Sequence, residues 1–329
     1  MLQQTRVDQA APYYKRFVER FPTVEALSDA PLDDVLLCWE GLGYYSRARN
    51  LHRAARLVVD EFGGRVPDEE EAIRSLPGVG PYTAAAVLSI AYERPCAVLD
   101  GNVARVLTRV FRVDADVKRS PVRRMLREIA GRLMDVRRPG AFNQALMELG
   151  ATICTPHAPG CSSCPVRPVC AAADHGDQAS YPVSAKRGPI PHFDVAVALL
   201  RDSRGRLLIQ RRHVHAMLGG LWEFPGGKRE KDESMEEACV RELDEELGVQ
   251  VSIEGPFHQL SHAYSHFRIT MHAFCARIVA GVPRSASGMP LKWVDPPNLD
   301  NYAFPRANRK LIERLAETPA RSTPGNVDT

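Results

Sequence analysis

The stretch LPGVGPYTAAAVL, from Leu76 to Leu88, places a glycine on either side of Val79 and directly before an alanine-rich segment with helical spacing. Glycine lets backbone N–H groups approach a phosphate closely, and the N-terminus of the following helix adds its partial positive charge. A tight turn between two packed helices would need the same glycines. The stretch therefore predicts two helices joined by a tight turn, and its neighbours decide whether the turn also binds phosphate.

The whole chain has 329 residues, of which 44% are hydrophobic, and this size and composition favour two domains. The formal net charge is only +3, so any affinity for phosphate has to come from local basic patches. No apolar run approaches the roughly 18 to 20 residues that a membrane span needs. We expect a soluble intracellular protein with no membrane partner.

Four cysteines form a C-x6-C-x2-C-x5-C run at Cys154, Cys161, Cys164 and Cys170. Thiolates this close in sequence can surround one compact metal centre, and four of them suit a 4Fe-4S cluster or tetrahedral zinc. The spacing favours the cluster, because zinc sites usually pair two short C-x2-C or C-x4-C units. A disulfide pair is the third alternative, although the other cysteines are scattered singly, as in a protein with reduced thiols.

Sequence periodicity changes after the cysteine run. Before it, apolar residues recur at three- and four-residue spacing, whereas DVAVALLRD, RLLIQRR and FRITMHAFCARIV after it have the character of strands. The polar, proline-containing segment between the two regions is typical of a linker. These patterns predict an all-α domain at 1–173, a linker at 174–191, an α+β domain at 192–316 and a disordered tail at 317–329.

A further stretch, VLDGNVARV, places Asp100 at the start of an amphipathic helix. Seen alone, an Asp in this position is typical of an N-cap. The glycine turn, this Asp and the cysteine run, in that order, resemble the helix-hairpin-helix DNA glycosylases with an iron-sulfur loop. The resemblance covers residues 1 to about 170, and LQQT, GLGYYSRARNLH, LPGVGPYTA, LDGNVARV and FNQALMELGA are most similar to adenine glycosylases of the MutY family.

The resemblance implies which residues carry the chemistry. An ionised Asp100 would stabilise the positive charge that builds on the sugar as the N-glycosidic bond breaks, and Tyr82 and Asn102 would support it. Related bifunctional enzymes carry a Lys where this chain has Tyr82, and the Lys amine attacks the sugar. The resemblance therefore implies a monofunctional glycosylase, in which water takes the sugar and another enzyme cleaves the strand.

One part of the family pattern is missing from this sequence. In the family, the general acid that protonates the departing base is a Glu in an S-E-V-M-L-Q-Q-T pattern, and this chain opens inside that pattern, at MLQQT. We expect that the true start lies upstream, and the alternative is a shortened protein with a damaged pocket. As it stands, the resemblance implies a chain that is impaired as a glycosylase.

The same matches imply contacts with double-stranded DNA. They concern residues that fill the duplex gap or contact the extruded adenine, basic residues that bind phosphates, and the glycine turn. The first group is Gln3, Gln4 and Tyr44, and the basic residues are Arg47 and Arg49. The residues of the glycine turn are Gly78, Gly80 and Thr83. Helix packing for the tyrosine and a solvated helix face for the arginines are the alternatives.

A second motif opens at Gly227 and reads G-x5-E-x7-R-E-L-x-E-E-x-G-V, which fills every fixed position of the Nudix signature. Glu242, Glu245 and Glu246 fall at i, i+3 and i+4 on one face of the predicted helix. Three carboxylates that converge there favour a hard divalent cation such as Mg2+.

The region from about Asp194 to Leu315 resembles MutT-like Nudix domains, including the second domain of the MutY family. Tyr264, Ser265 and His266 are similar to the F-S-H loop with which that family recognises 8-oxoguanine opposite adenine. Asn308, in FPRAN, is similar to the MutT residue that reads the same base.

Together the resemblances imply removal of adenine mispaired with 8-oxoguanine or guanine in base excision repair. The expected protein is a monomer with a 4Fe-4S cluster, of bacterial type and located in the cytoplasm with the nucleoid. The filled Nudix box keeps an alternative open, a Mg2+-dependent pyrophosphohydrolase of oxidised purine nucleoside triphosphates. A non-enzymatic binder of DNA lesions would need both sites to be inactive.

Overall fold

The structure is a computed structural model that describes Met1, Thr5, residues 7–185 and residues 188–317. Gln3, Gln4 and residues 318–329 of the predicted tail lie outside the described residues. Two compact units divide the chain, one of Met1–His52 with Pro189–Thr329 and one of Arg53–Gly188. The units group the N-terminal segment with the C-terminal part, whereas the domain limits predicted from periodicity remain predictions.

Helices form the chain up to the cysteine run, as the three- and four-residue periodicity predicted. They are α1 (Val7–Arg20), α2 (Val24–Asp29), α3 (Leu32–Trp39), α4 (Ser46–Phe62), α5 (Glu70–Ser75), α6 (Pro81–Tyr92), α7 (Gly101–Val110), α8 (Ser120–Leu133) and α9 (Pro139–Thr152), followed by α10 (Ala171–His175). The end of α10 and a 3-10 turn at Gln178–Ser180 lie inside the segment predicted as a linker, which is therefore partly helical. Among the described residues, no helix is both long and apolar enough to cross a membrane.

The core of the Arg53–Gly188 unit forms where α7 packs on α8. Val103 and Leu107 from α7, and Leu126 and Ala130 from α8, are each at most 1% exposed. Full burial of a side chain of Val or Leu size contributes about 1.5–3 kcal/mol. This packing fixes the position of α7 and therefore of the residues at its N-terminus.

α9 approaches α7 most closely at Gly150. A Cβ atom built at this position would lie 2.7 Å from the Cβ of Asn102 and 2.9 Å from the carbonyl oxygen of Asn102. Real Cβ atoms do not come this close to backbone atoms, so that only glycine fits here without moving a helix.

The C-terminal part of the other unit is an α+β fold with two sheets. Its strands are β1 (His192–Leu200), β2 (Leu207–Arg211), β3 (Trp222–Glu223), β4 (Gly226–Lys228), β5 (Gln250–Ala263), β6 (Arg268–Ala280) and β7 (Leu291–Val294), and its helices are α11 (Met235–Leu247) and α12 (Arg306–Glu317). The strand orders are β4-β1-β6-β5 and β3-β2-β7. β1 runs parallel to β6, and the other neighbours are antiparallel. The predicted strands DVAVALLRD and RLLIQRR are confirmed as β1 and β2, which belong to different sheets.

β1 is buried on both faces, because alternate side chains of a strand point to opposite sides of the sheet. Ala196, Ala198 and Leu200 pack in a core with side chains of α11. Val197 and Leu199 pack in a second core with side chains of α12. The strand thereby holds the helix of the Nudix signature on one side and the helix with Asn308 on the other.

Replacing Gly150 with Ala is expected to destabilise the protein by roughly 1–3 kcal/mol, the usual range for an overpacked site. Gly131 in α8 is a matched control, because a Cβ there meets nothing within 4 Å. Gly131→Ala is expected to leave stability unchanged or to raise it by roughly 0.5–1 kcal/mol, since Ala restricts the unfolded chain. Denaturant unfolding of both variants tests this, and equal changes would contradict it.

Candidate active site

Asp100 caps the N-terminus of α7. Its Oδ1 accepts a hydrogen bond from the Val103 N–H at 2.7 Å, and its Oδ2 accepts one from Asn102 Nδ2 at 3.1 Å. The backbone N–H groups at the helix N-terminus carry a partial positive charge, and Asp100 places its carboxyl group against them. The residue is therefore an N-cap, as its position alone suggested, and also a half-buried carboxylate with both oxygens held in place.

Arg105, less than two turns further along α7, holds Asn102 in turn. Its Nη2 donates to Asn102 Oδ1 at 2.8 Å and to the Gly150 carbonyl at 2.6 Å, and its Nε donates to the Cys154 carbonyl at 2.7 Å. Arg105 is only 8% exposed, and burial lowers the pKa of its guanidinium. An arginine side chain nevertheless stays charged at neutral pH. Asp100, Asn102, Arg105 and the backbone of Cys154 thus form one continuous series of hydrogen bonds.

Arg109, one turn beyond Arg105, contacts the cysteine loop. This side chain is 2% exposed, and its Nη1 donates to Cys154 Sγ at 3.2 Å and to the Thr155 carbonyl at 2.8 Å. Its Nε donates to the carbonyl of Gln178 at 2.9 Å. Arg109 thereby places a positive charge beside Cys154, and a sulfur that binds metal does so as the negatively charged thiolate.

The cysteines of the run line one cavity together with Arg109. Cys154 follows α9, Cys161 and Cys164 bound a short 3-10 turn, and Cys170 caps α10. Converging thiolate donors are the ligand set of iron-sulfur clusters and of zinc. As placed, no three His, Cys, Asp or Glu side chains among the described residues are arranged to hold a metal ion.

The glycine turn leads directly to Tyr82. Gly78 has φ +79°, a left-handed conformation that glycine adopts without strain, and Gly80 has open space where a Cβ would stand. Tyr82, in the first turn of α6, donates its hydroxyl to Met147 Sδ at 3.6 Å. Burial, and then the negative charge of Asp100, raises the pKa of Tyr82. Tyr82 therefore lies within electrostatic reach of Asp100.

Sequence reasoning missed Asn143, which holds the segment leading to Asp100. Asn143 is fully buried, and its Oδ1 accepts from the Val98 N–H at 3.2 Å. Its Nδ2 donates to the Cys96 carbonyl at 2.8 Å and to Ser89 Oγ at 2.9 Å. The Asn143 side chain therefore gives the backbone at Cys96 and Val98 the hydrogen bonds that a neighbouring strand would otherwise supply.

Arg105 and Arg109 were also missed, although the sequence carried a signal for them. They stand four residues apart in a helix whose other buried positions are apolar except for Thr108. A charged residue on an apolar face is buried only when it finds partners. Their burial could have been suspected, but their partners are distant in sequence.

In the other unit, Tyr44 has a left-handed backbone, with φ +47°. This conformation is rare for a bulky residue and stores strain, which often marks a functional position. The Tyr44 ring meets the His266 ring edge-on, with centroids 6.3 Å apart. Tyr44 therefore lies beside the loop that resembles the 8-oxoguanine reader.

Both arginines predicted to bind DNA phosphates donate to carbonyls of the protein. Arg47 donates to the carbonyls of Leu42 and Gly43, each at 3.3 Å. Arg49 donates to the carbonyl of Gly219. These contacts shape the surrounding loops, and DNA binding by the two arginines remains a prediction.

The turn between β5 and β6 carries the predicted reader of 8-oxoguanine. The Tyr264 N–H donates to the Phe267 carbonyl at 2.8 Å, and the two rings stack with centroids 4.6 Å apart. Burial raises the pKa of Tyr264 to about 12. Ser265 and His266 are exposed at the tip of the turn. The contacts between Tyr264 and Phe267 thus hold the two ends of the turn together, and the tip of the turn is polar.

The Nudix-signature carboxylates line a cavity of about 610 Å³ in the same unit. Glu242, Glu245 and Glu246 stand on its α11 side, and Asn308 lies in another part of its wall. A Cβ on Gly227 would collide with the Glu242 carboxylate as it stands, so a side chain at this position would displace that carboxylate. Burial raises the pKa of Glu242.

Asn308 and Glu223, two polar residues of the cavity wall, both have partners within the fold. Asn308 is 3% exposed, and its Oδ1 accepts from the Phe224 N–H at 3.1 Å. Glu223 pairs with Arg212, and burial nevertheless raises its pKa to about 7. The oxygen of Asn308 is used within the fold, and its role in reading a base remains a prediction.

Comparisons with known proteins agree with both regions. The family described as "HhH-GPD superfamily base excision DNA repair protein" matches residues 1–132, and the family described as "NUDIX domain" matches residues 196–314. The adenine DNA glycosylase of Rattus norvegicus is 34% identical over 98% of this chain and 71% of the relative. That of Homo sapiens is 33% identical over 95% of this chain and 66% of the relative. That of Buchnera aphidicola subsp. Acyrthosiphon pisum is 29% identical over 96% of this chain and 88% of the relative.

The first of these likenesses spans both units, and it includes the Asp100 helix and the Nudix signature. Because this relative is 34% identical over 98% of the chain, the chain belongs to the adenine DNA glycosylase family.

Proposed function

We propose that this protein removes adenine mispaired with 8-oxoguanine or guanine in double-stranded DNA, the first step of base excision repair. The observation that carries the proposal is the Asp100 carboxylate, whose oxygens are fixed by the Val103 N–H and by Asn102. The activity named for the relatives, adenine DNA glycosylase, supports it.

The chemistry explains why such a carboxylate is needed. Breaking the N-glycosidic bond of adenine builds positive charge on C1′ and the ring oxygen, and a preorganised negative group stabilises that charge without having to reorient. Asn102 orients one oxygen of Asp100, and Arg105 keeps the Asn102 amide from rotating. Tyr82 has no amine to attack the sugar, so we propose that water takes the sugar and that the strand is left intact.

DNA binding follows from the turn at Gly78 and Gly80 and the N-terminus of α6. Backbone N–H groups at a helix N-terminus attract a phosphate, and the absence of a side chain on Gly80 leaves room for its approach. Thr83 lies in the same first turn. We assign Tyr44 to the DNA-binding surface because it lies in a loop with a strained, left-handed backbone, and such strain often marks a functional position. Gln3 and Gln4 are assigned by resemblance alone.

We propose that the β5–β6 turn reads the base opposite adenine. 8-Oxoguanine differs from guanine by an N–H donor at N7 and a carbonyl acceptor at C8, and both can be recognised by short polar groups. The Ser265 hydroxyl and the His266 ring can each donate or accept a hydrogen bond, and both are exposed. The stacked ring of Tyr264 holds them in place.

We propose that the cysteine cavity holds a 4Fe-4S cluster, because its four thiols are the ligand set that such a cluster uses. Cys154, Cys161, Cys164 and Cys170 would hold it, and Arg109 places a positive charge beside one of the sulfurs. When bound, such a cluster cross-links the loop and so stabilises its fold.

A second candidate activity is supported by the Nudix cavity. Its volume of about 610 Å³ is in the range of small-molecule sites, and it brings together three carboxylates of the signature. Glu242, Glu245 and Glu246 would hold Mg2+, which in this chemistry polarises phosphate oxygens. Hydrolysis of oxidised purine nucleoside triphosphates is the reaction that this cavity would serve.

Replacing Asp100 with Asn tests the first proposal without removing the cap, because Asn is an equally good N-cap. We expect adenine release from a duplex with adenine opposite 8-oxoguanine, under single-turnover conditions, to fall by about 100-fold or more, the usual effect of losing one group that stabilises transition-state charge. The exposed Asp114→Asn is the control. Equal rates of adenine release for wild type and Asp100→Asn would contradict the role of Asp100.

Replacing Cys161 with Ser tests the cluster. The wild-type protein is expected to absorb in the visible iron-sulfur band and to contain iron and sulfide, and the variant is expected to lose most of both. Cys96→Ser, outside the cavity, should keep them. A colourless wild-type protein that binds zinc would overturn the cluster assignment.

Replacing Glu246 with Gln tests the second candidate. If the cavity is catalytic, wild type with Mg2+ releases pyrophosphate from 8-oxo-dGTP, and the variant loses about 100-fold or more of this rate. Glu236→Gln, at the exposed start of the same helix, is the control. No release by wild type would eliminate this candidate and leave the glycosylase proposal untouched.

A further inference from the structure

Glu40 accepts four hydrogen bonds from two residues of the C-terminal part of its unit. It caps the C-terminus of α3, and its side chain is 21% exposed. Its Oε1 accepts from the Phe304 N–H at 2.8 Å and from Arg309 Nε at 3.1 Å, and Arg309 Nη2 lies 2.9 and 3.1 Å from its two oxygens. Phe304 and Arg309 are more than 260 residues away in sequence.

Arg309, the partner of Glu40, is itself fixed within the C-terminal part. Its side chain is 11% exposed, its Nη1 donates to Asp300 Oδ1 at 2.6 Å, and its Nη2 donates to the Tyr302 carbonyl at 2.7 Å. A forked guanidinium held in this way has a defined direction. The Arg309 side chain thus offers Glu40 one fixed docking position.

A second ion pair joins the same two stretches of chain. Arg211 on β2 lies 2.7 Å from Asp33 on α3, and both side chains are at most 35% exposed. α3 is therefore attached at its start and at its end to the C-terminal part of the unit.

The loop that Glu40 begins is closed on itself. The indole N–H of Trp39 donates to the Gly43 carbonyl at 3.1 Å, and the Gly41 N–H donates to the Tyr45 hydroxyl at 3.2 Å. These bonds connect the segment that begins at Glu40 with the backbone on either side of Tyr44, whose ring contacts His266.

We propose that Glu40 and Arg309 are a positioning pair that sets Tyr44 against His266, and that discrimination between 8-oxoguanine and guanine depends on this pair. Neither residue needs to touch DNA. The pair acts by fixing the distance between a loop on the DNA face and the loop that reads the base, an inference that rests on the proposed function. An ion pair suits this task because removing one partner leaves the other charged and poorly solvated, so the docked arrangement is strongly preferred.

The test measures binding, so that it does not depend on the rate of adenine release. Full-length protein is titrated with a duplex that carries 2′-fluoro-2′-deoxyadenosine opposite 8-oxoguanine. It is also titrated with the same duplex in which guanine replaces 8-oxoguanine. We expect wild type to prefer 8-oxoguanine, and Glu40→Gln and Arg309→Gln each to lose about 10-fold of that preference, a coupling within the range of charged pairs in contact. Because both substitutions break the same Glu40–Arg309 pair, the double variant should lose no more of the preference than the more strongly affected single variant.

Two further variants separate positioning from general destabilisation. Glu317→Gln breaks an exposed pair with Arg314 on the same helix, and it should retain the full preference. Arg309→Lys keeps the positive charge but lacks the forked guanidinium, and it should retain part of the preference for 8-oxoguanine. Hydrogen exchange at the amides of Gly41–Tyr44 should accelerate in Glu40→Gln, while amides in the core of β1 stay protected.

The outcomes distinguish this inference from the proposed function. If wild type binds neither duplex, the proposed function fails, whatever the variants do. If wild type binds both duplexes equally, the proposed reading of 8-oxoguanine by the β5–β6 turn fails, and this inference fails with it. If wild type prefers 8-oxoguanine, and Glu40→Gln retains that preference despite faster exchange in the loop, the positioning role is overturned. Equal loss in Glu317→Gln would likewise overturn it, since the effect would then not belong to the pair.

Discussion

The buried guanidinium of Arg105 is the interaction on which the candidate active site depends most. A charge that is 8% exposed costs free energy unless its donors are paired, and Arg105 is paired with the Asn102 side chain and with two carbonyls. Its partners belong to α7, α9 and the start of the cysteine loop. These three elements are consequently fixed relative to one another, and the carboxylate of Asp100 is fixed with them.

The same device recurs in this chain with different partners. Arg241 on α11 donates to Glu233 at 2.7 and 3.0 Å and to Glu245 at 3.0 Å, and its Nη1 lies 3.2 Å from Glu242. Arg309 directs Glu40 in a similar way. In each case a forked donor gives a carboxylate one direction, which a lysine ammonium would not do. The carboxylates differ in task, but each is positioned before any ligand arrives.

Apolar packing has the complementary role of placing the helices that carry these groups. β1 is buried on both faces, so that α11 and α12 are held through alternate residues of one strand. α7 is held against α8 by fully buried Val and Leu side chains. Packing of this kind is not directional enough to orient a carboxylate, and hydrogen bonds supply the remaining precision.

The sequence by itself determined the element types, the N-cap at Asp100, the glycine turn and the grouping of Glu242, Glu245 and Glu246. These features depend on residues within a few positions of one another, where periodicity, turn chemistry and helix geometry apply. Only the tertiary structure decided that Arg105 reaches Asn102 and Cys154, that Asn143 supports the segment before Asp100, and that Glu40 meets Arg309. Those contacts join residues that are distant in the sequence, and no local pattern encodes which buried polar group will satisfy which other.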